Sequence, residues 1–335
     1  MRTNRHFSTK VVHKVVEKPQ VFFPNTQQDK KFAEFAQVLC DSAARAERRV
    51  MKRRTRYFLS LTFILIVSWI ANEGLFGQSS FKILISNDDG IEAPGISALF
   101  EKLSAIASVT VAAPAQNYSA VGHGITYQDP IMVTESERNG CKWFAIKALP
   151  ATCVRLALES LLAEKPSLVV SGINRGENLG VVSFYSATVA CAREAAIKGI
   201  PAVAVSLASG KTMDYGPAAD FIVSLVQELK EKGLRPGSFL NVNVPNLPGD
   251  QVKGVLITRQ DMQPSQESYE RRVSPSKQVY FWNIFTDLDQ APEKTDVSAV
   301  RNGFISISPF QLDQTDLEEL KALENWNIAK GKKND

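Results

Sequence analysis

Residues 81–99 read FKILISNDDGIEAPGISAL, and the fold class follows from them. Ile83, Leu84 and Ile85 form a short apolar run rich in β-branched side chains, the pattern of a strand buried on both faces of a parallel sheet. Ser86, Asn87, Asp88, Asp89 and Gly90 follow at once, then a helix-compatible segment that begins near Gly95. Adjacent carboxylates therefore stand at the carboxyl end of a core strand, where open α/β sheets place their ligands. Two such groups repel each other, and protonation, a cation or wide exposure to water relieves them. A hard divalent cation is the remedy that also does chemistry. The alternative is a solvated loop in which one Asp caps the next helix and Gly90 makes the turn, and this stretch alone leaves both open.

Outward from this stretch the βα alternation is regular. Strands are predicted at 83–86, 109–112, 143–146, 168–170, 202–206 and 240–244, with helices over 95–106, 152–162, 189–198 and 217–232. That order predicts an α/β fold with a mostly parallel sheet. Beyond Pro245 the pattern changes to hairpin-type strands at 253–259, 272–273, 280–284 and 304–308, closed by a polar helix over 315–328. The main domain is thus expected over 81–335, as an α/β core (81–245) and a hairpin and C-terminal extension (246–335).

The segments ahead of Phe81 have a different character. Residues 1–50 carry no strand pattern and read as a poorly ordered extension. From Met51 the chain reads MKRRTRYFLSLTFILIVSWIA, a basic head followed by an apolar run from Tyr57 to Ala71. This is the pattern of a secretory signal over 51–80, and it makes Met51 an alternative start. No A-x-A site follows, so an uncleaved signal anchor is the second expectation and a buried core helix the third. Export is the predicted address, periplasmic or anchored with the catalytic domain outside, and any membrane contact is confined to residues 57–71.

Composition removes several function classes. The formal net charge is only +4 and the basic residues cluster before Tyr57, so nothing argues for a nucleic-acid polymer as partner. Cys40, Cys141, Cys153 and Cys191 include no CxxC pair, which argues against a zinc ribbon or a disulfide framework. With His6, His13 and His123 as the only histidines, a histidine-rich metal centre is excluded by inventory. Gly210, Lys211 and Thr212 imitate the end of a P-loop, but Val205 stands where its first glycine belongs, and no GxGxxG follows the first strand.

Three predicted strand ends collect oxygen ligands: Asn87, Asp88 and Asp89; then Asn117 and Ser119; then Ser171 and Asn174. In a doubly wound sheet such loops converge on one crevice. Carboxylates with neutral amide and hydroxyl oxygens suit Mg²⁺ or Mn²⁺, whereas ordinary turn chemistry explains Ser119 or Asn174 taken singly. Ser186, Ala187 and Thr188 precede an alanine-rich helix, and either hold a phosphate at its N-terminus or simply cap it. A covalent aspartyl-phosphate is the rival chemistry, but its DxDx[TV] run is absent.

The chain resembles the SurE survival-protein 5'-nucleotidases. The resemblance rests on ILISNDDGIEAPGI (83–96), TVAAPAQNYSAVGHGIT (110–126), VVSGINRGENLG (169–180) and YSATVACAREAAIKGIPAVAVS (185–206). It continues through LNVNVP (240–245), ITRQ (257–260), YERRVSP (269–275) and TDVSAVRNGFISISP (295–309). Nothing before residue 80 belongs to it.

The resemblance implies a Rossmann-like α/β/α sandwich and a metal-dependent phosphomonoesterase acting on nucleoside 5'-monophosphates, or 3'-monophosphates. It implies one divalent cation per subunit and a C-terminal extension that joins subunits in dimers or tetramers. Its metal ligands correspond to Asp88, Asp89, Ser119 and Asn174, its phosphate-binding hydroxyls to Ser186 and Thr188, and His123 fits the second loop. Asp88 and Asp89 are the catalytic candidates, with Asp88 orienting the nucleophile, and Asn87 is expected beside the phosphate. A broad-specificity acid phosphatase or polyphosphatase, and a non-catalytic nucleotide or metal binder, are the other classes to separate. A cytoplasmic address, usual for the family, is the alternative to export.

This chain departs from the family pattern around the site. Ala148, Leu149, Pro150, Ala151, Thr152 and Cys153 stand where Gly-Thr-Pro-Ala-Asp-Cys is usual, Glu177 breaks Asn-Arg-Gly-Pro-Asn, Val181 and Val182 replace an aspartate, and Ala187 replaces a glycine. These changes bear on substrate preference and rate more than on the reaction type.

Overall fold

The computed structural model describes residues 81–263, 266–286 and 291–326. The predicted extension and export signal, and the end of the predicted C-terminal helix, lie outside the described residues. Among those described, no helix is long and apolar enough to cross a membrane.

The NDDG segment joins β1 (Lys82–Ser86) to α1 (Pro94–Leu103), with Pro94 at the first helical turn, where its missing N–H costs nothing. β2 (Ser108–Pro114), β3 (Val133–Arg138), β4 (Cys141–Ile146) and α2 (Pro150–Leu156) follow, the last continuing through a π-helical turn at Ala157–Leu161. β5 (Leu168–Arg175), α3 (Ala187–Ile197), β6 (Ala202–Leu207), α4 (Gly216–Lys232) and β7 (Ser238–Val244) complete the alternation. The C-terminal region adds β8 (Val255–Ile257), β9 (Gln266–Val273), β10 (Val279–Thr286), α5 (Asp296–Arg301), β11 (Ile305–Gln311) and α6 (Leu317–Glu324).

One nine-stranded sheet has the order β3-β4-β2-β1-β5-β6-β7-β11-β8. From β4 to β7 every pairing is parallel, while β3 and β11 run antiparallel to their neighbours β4 and β7. On one face Ile96, Leu99 and Leu103 of α1 and Ala218, Ile222 and Val226 of α4 bury Ile83, Ile85 and Val170. On the other, Cys153 and Val154 of α2 and Val189 and Ala192 of α3 bury Leu84, Val169 and Ala204. This is the predicted three-layer α/β/α sandwich. The chain winds from β1 to β2 on one side and returns to β5 on the other, so the switch point lies at the carboxyl ends of β1 and β5.

Gly95 makes this switch point possible. A Cβ on Gly95 would lie 2.0 Å from the Ile173 carbonyl oxygen, so only glycine lets the start of α1 rest directly on β5.

The structure differs from the sequence reading at five stretches. Residues 171–175, expected as loop, belong to β5: the strand runs on through a register shift against β6 between Ser171 and Asn174, where Gly172 takes φ +141° and the Gly172–Ile173 peptide is cis. The stretches expected as hairpin strands at 253–259 and 304–308 instead extend the main sheet as β8 and β11. Only β9 and β10 form a separate hairpin. β3 and the short α5 have no counterpart in the sequence pattern, because VTESER carries no apolar alternation and six residues hold too few helical turns to show a period.

Candidate functional site

Asp88 and Asp89 leave β1 toward different neighbours. Asp88, only 3% exposed, accepts a hydrogen bond at Oδ1 from the Thr188 hydroxyl at 2.5 Å, which ties it to the start of α3. Asp89 accepts the Arg175 backbone N–H at Oδ2, 3.1 Å, and the Asn117 amide at Oδ1, 3.4 Å, which ties it to the end of β5 and to the loop after β2. The Tyr118 N–H donates to the Asp88 carbonyl at 2.8 Å, so the same loop is also pinned through its backbone.

Asn87 makes the bend. Its side-chain oxygen accepts from the Gly90 N–H at 3.2 Å while its amide donates to the Gly90 carbonyl at 2.8 Å. Gly90 has φ +104°, and a Cβ there would approach the Gln116 carbonyl carbon to 3.1 Å. Asn87 thus spends both polar ends on the turn, and it acts on the site by aiming the aspartates.

The other predicted residues fall around this pair. Ser119 donates its hydroxyl and its N–H to Asn117 Oδ1, both at 2.8 Å, leaving the hydroxyl lone pairs open. Asn174 donates its amide to the Gly176 carbonyl at 2.7 Å, which turns its Oδ1 away from the backbone. Ser186 caps α3 by accepting the Val189 N–H at 3.1 Å and keeps its own proton to give. Thr188, by contrast, spends its proton on Asp88. His123 turns from this group to a buried carboxylate, Glu194, 3.0 Å away.

The electrostatics single out Asp88. Burial, opposed by the Thr188 hydrogen bond and reinforced by the charge of Asp89, pushes its carboxyl up to about 6. Asp89 is also raised by burial, against the Arg175 N–H and the Arg175 charge. None of the ion pairs found among the described residues involves either aspartate.

The loop that follows β5 is held by buried polar groups that the sequence reading did not single out. The Asn178 N–H donates to Asn243 and its amide to Ser206, both at 2.8 Å, and Asn241 donates to the Asn178 carbonyl. Asp296 accepts the Gly180 N–H at 2.8 Å, and Gln260 donates to the Gly180 carbonyl and to Ser183. Alternation within LNVNVP, apolar on one face and asparagine on the other, is the signal that could have found this anchor.

Comparison with known proteins agrees with the geometry. The profile of the family described as Survival protein SurE matches residues 83–267. The chain belongs to the SurE family. The 5'-nucleotidase SurE of Syntrophobacter fumaroxidans is 42% identical over 250 residues, 74% of this chain and all of that protein. The one of Moorella thermoacetica is 46% identical over 237 residues, 70% of this chain and 91% of that protein. The crystal structure of the SurE protein from Aquifex aeolicus superimposes with a TM-score of 0.66 at 35% identity, covering 73% of this chain and all of that one.

Within the SurE pattern, the divergent turn at 148–153 has a definite role here. Thr152 accepts the Thr126 N–H at 2.8 Å, and the Thr126 hydroxyl accepts the Leu149 N–H at 2.9 Å. The turn therefore ties down the far end of the loop that carries Ser119.

Proposed function

We propose that this chain is a phosphomonoesterase that hydrolyses nucleoside 5'-monophosphates, and 3'-monophosphates, with one divalent cation, Mg²⁺ or Mn²⁺, per subunit. The observation that carries the proposal is the convergence at the β1/β5 switch point: a buried aspartate of raised pKa beside a second aspartate, neither of them in an ion pair found among the described residues. The names of the SurE relatives supply the substrate class.

The residues present suit a hard cation. Among the described residues no cluster holds three or more His, Cys, Asp or Glu, so a cation here relies on Asp88 and Asp89 with the neutral oxygens of Ser119 and Asn174. Asn174 Oδ1 and the Ser119 lone pairs are left open by their hydrogen bonds, and an all-oxygen set of this kind favours Mg²⁺ or Mn²⁺ over zinc. When bound, such a cation supplies Lewis-acid polarisation of the phosphoryl group and acidifies water.

The chain's own groups do the rest. Asp88, held by Thr188, orients the attacking water and takes its proton as the phosphorus–oxygen bond to the nucleoside breaks, and that proton then passes to the departing nucleoside oxygen. Ser186 donates a hydrogen bond from its hydroxyl to a phosphate oxygen, and the N-terminal N–H groups of α3 offset the charge that grows there. Asn87 shapes the turn that carries both aspartates, and Asn117 holds Asp89.

The C-terminal elements support self-association into a homodimer or homotetramer. The β9–β10 hairpin exposes Tyr269, Val279, Phe281 and Trp282, and α6 buries none of its residues. Export is proposed from the basic head and apolar run at 51–71.

The test is phosphate release from nucleoside 5'- and 3'-monophosphates, p-nitrophenyl phosphate and polyphosphate, with EDTA and with added Mg²⁺ or Mn²⁺. Cation-dependent release confined to the nucleotides is expected. Equal rates on all substrates point to a broad phosphatase or polyphosphatase, and no release under any condition points to a binding protein.

A further inference from the structure

Glu194 lies in the last turn of α3 with its side chain fully buried, and nothing in the proposed reaction uses it. His123 Nε2 is 3.0 Å from Oε2. Arg155 of α2 gives Nε to Oε1 at 2.8 Å and a second guanidinium nitrogen to Oε2 at 3.3 Å. Burial by itself would raise the Glu194 carboxyl, but the hydrogen bonds from His123 and Arg155 outweigh it and hold it at about 2. An ionised carboxylate only accepts, so the His123 ring donates through Nε2. Stability alone does not account for such a buried cluster, because apolar side chains of the same volume often fill the space as well. What such a pair does fix is position.

The position it fixes is that of the loop after β2. Asn117 and Tyr118 tie one end of this loop to Asp89 and Asp88. Ser119, Ala120 and Val121 are exposed, with Ala120 at φ +62°. The chain is caught again at Gly122, whose N–H donates to the Tyr185 carbonyl, and at His123. Ser119 therefore hangs between two anchors, and the second is the helix that carries Thr188 and, through it, Asp88.

We propose that Glu194 is a positioning residue which, through His123, clamps the 117–126 loop to α3 and so sets the distance between Ser119 and the Asp88–Thr188 pair. Arg155, bonded to both carboxylate oxygens, holds the carboxylate in place. The proposal rests on the assignment of Asp88, Asp89, Ser119 and Asn174 as cation ligands.

The test is Mn²⁺ binding to the full-length, EDTA-stripped chain without substrate, followed by loss of the free-ion EPR signal. His123→Ala should weaken binding about tenfold, the low end of the ~10–100-fold typical of outer partners of metal ligands. Because His123 is partly exposed and Arg155 stays paired, this variant folds. His123→Gln, whose amide can donate to Glu194, should regain most of the loss. Ser119→Ala should weaken binding too, and adding His123→Ala to it should cost nothing further, since the histidine acts through Ser119. If Ser119→Ala weakens binding while His123→Ala does not, or if the two losses add in full, the clamp is wrong and the cation site stands. If both Ser119→Ala and Asp88→Asn bind Mn²⁺ like the parent chain, the ligand assignment falls and the clamp with it.

Discussion

Replacing Asp88 by Asn separates what the site costs the fold from what it does. The folded carboxyl titrates at about 6, against 3.8 for an unperturbed aspartate. Going from 3.8 to about 6, at ~1.36 kcal/mol per pH unit, means that ionising Asp88 inside the cation-free fold costs roughly 3 kcal/mol. The sign is fixed by which state holds the proton. Between these two values the folded chain binds it more tightly, so this contribution to stability falls as pH rises through the window and is fully lost above about 6. Asparagine cannot ionise, and its Oδ1 still accepts from Thr188. In EDTA at neutral pH, Asp88→Asn should therefore be more stable than the parent, by up to about 3 kcal/mol or roughly 5–10 °C in Tm for a domain of this size. Near pH 4 the two should nearly coincide. Activity should move the other way, falling about a hundredfold or more. Mn²⁺ should raise the Tm of the parent by linkage and leave the variant almost unmoved. Calorimetry in EDTA across the acid to neutral range, repeated with Mn²⁺ and paired with phosphate release, reads all of this. A variant less stable than the parent at neutral pH, a gap independent of pH, or full activity would overturn the role given to Asp88.

Glu194 should show the opposite pH dependence: its stabilisation is complete above 4.5 and is lost as pH falls toward about 2, so Glu194→Gln should lose up to roughly 3 kcal/mol at neutral pH and little near the acid end. Urea titrations at several pH values check this, and parallel curves for both proteins would contradict it. Gly95→Ala places a methyl group 2.0 Å from the Ile173 carbonyl oxygen, a backbone clash that should cost at least the ~1–3 kcal/mol of ordinary overpacking; an unchanged urea midpoint would show that α1 can retreat freely. Trp282→Glu puts a charge on the exposed hairpin face and should shift sedimentation toward smaller species, whereas an unchanged distribution would remove the hairpin from subunit contact.

The sheet core and the position of the site were legible because they depend on local pattern. Ile83–Ile85 announces a buried strand, and a polar run at its carboxyl end announces the crevice. What local pattern does not carry is pairing between distant segments. β11 joins β7 through Ser306–Asn243 and Ser308–Asn241, a polar register that reads as a solvent-facing hairpin until the sheet around it is known. Asn174 reads as a loop residue because glycine and asparagine suggest turns, yet it lies within β5, where a register shift absorbs the irregularity. The division of labour among polar side chains was likewise out of reach. The sequence places Asn87, Thr188 and His123 at the site, but only the hydrogen bonds assign the first to a turn, the second to Asp88 and the third to Glu194.

The two buried carboxylates tied to α3 are the sharpest guide to its chemistry. Glu194 receives a histidine and an arginine and is held far below the usual carboxylate range. Asp88, bonded to the first turn of the same helix, receives a hydroxyl, sits beside another negative charge, and is pushed well above that range. Glu194 therefore completes its electrostatics with charged groups of the chain, whereas Asp88 and Asp89 stand in none of the ion pairs found among the described residues, and the Arg175 charge only partly offsets the rise at Asp89. A structural carboxylate has no reason to be left so, since the Glu194 arrangement is available in the same fold. Two carboxylates raised by burial at a switch point suit an external cation, and this supports the proposal that the reaction takes place at Asp88 and Asp89.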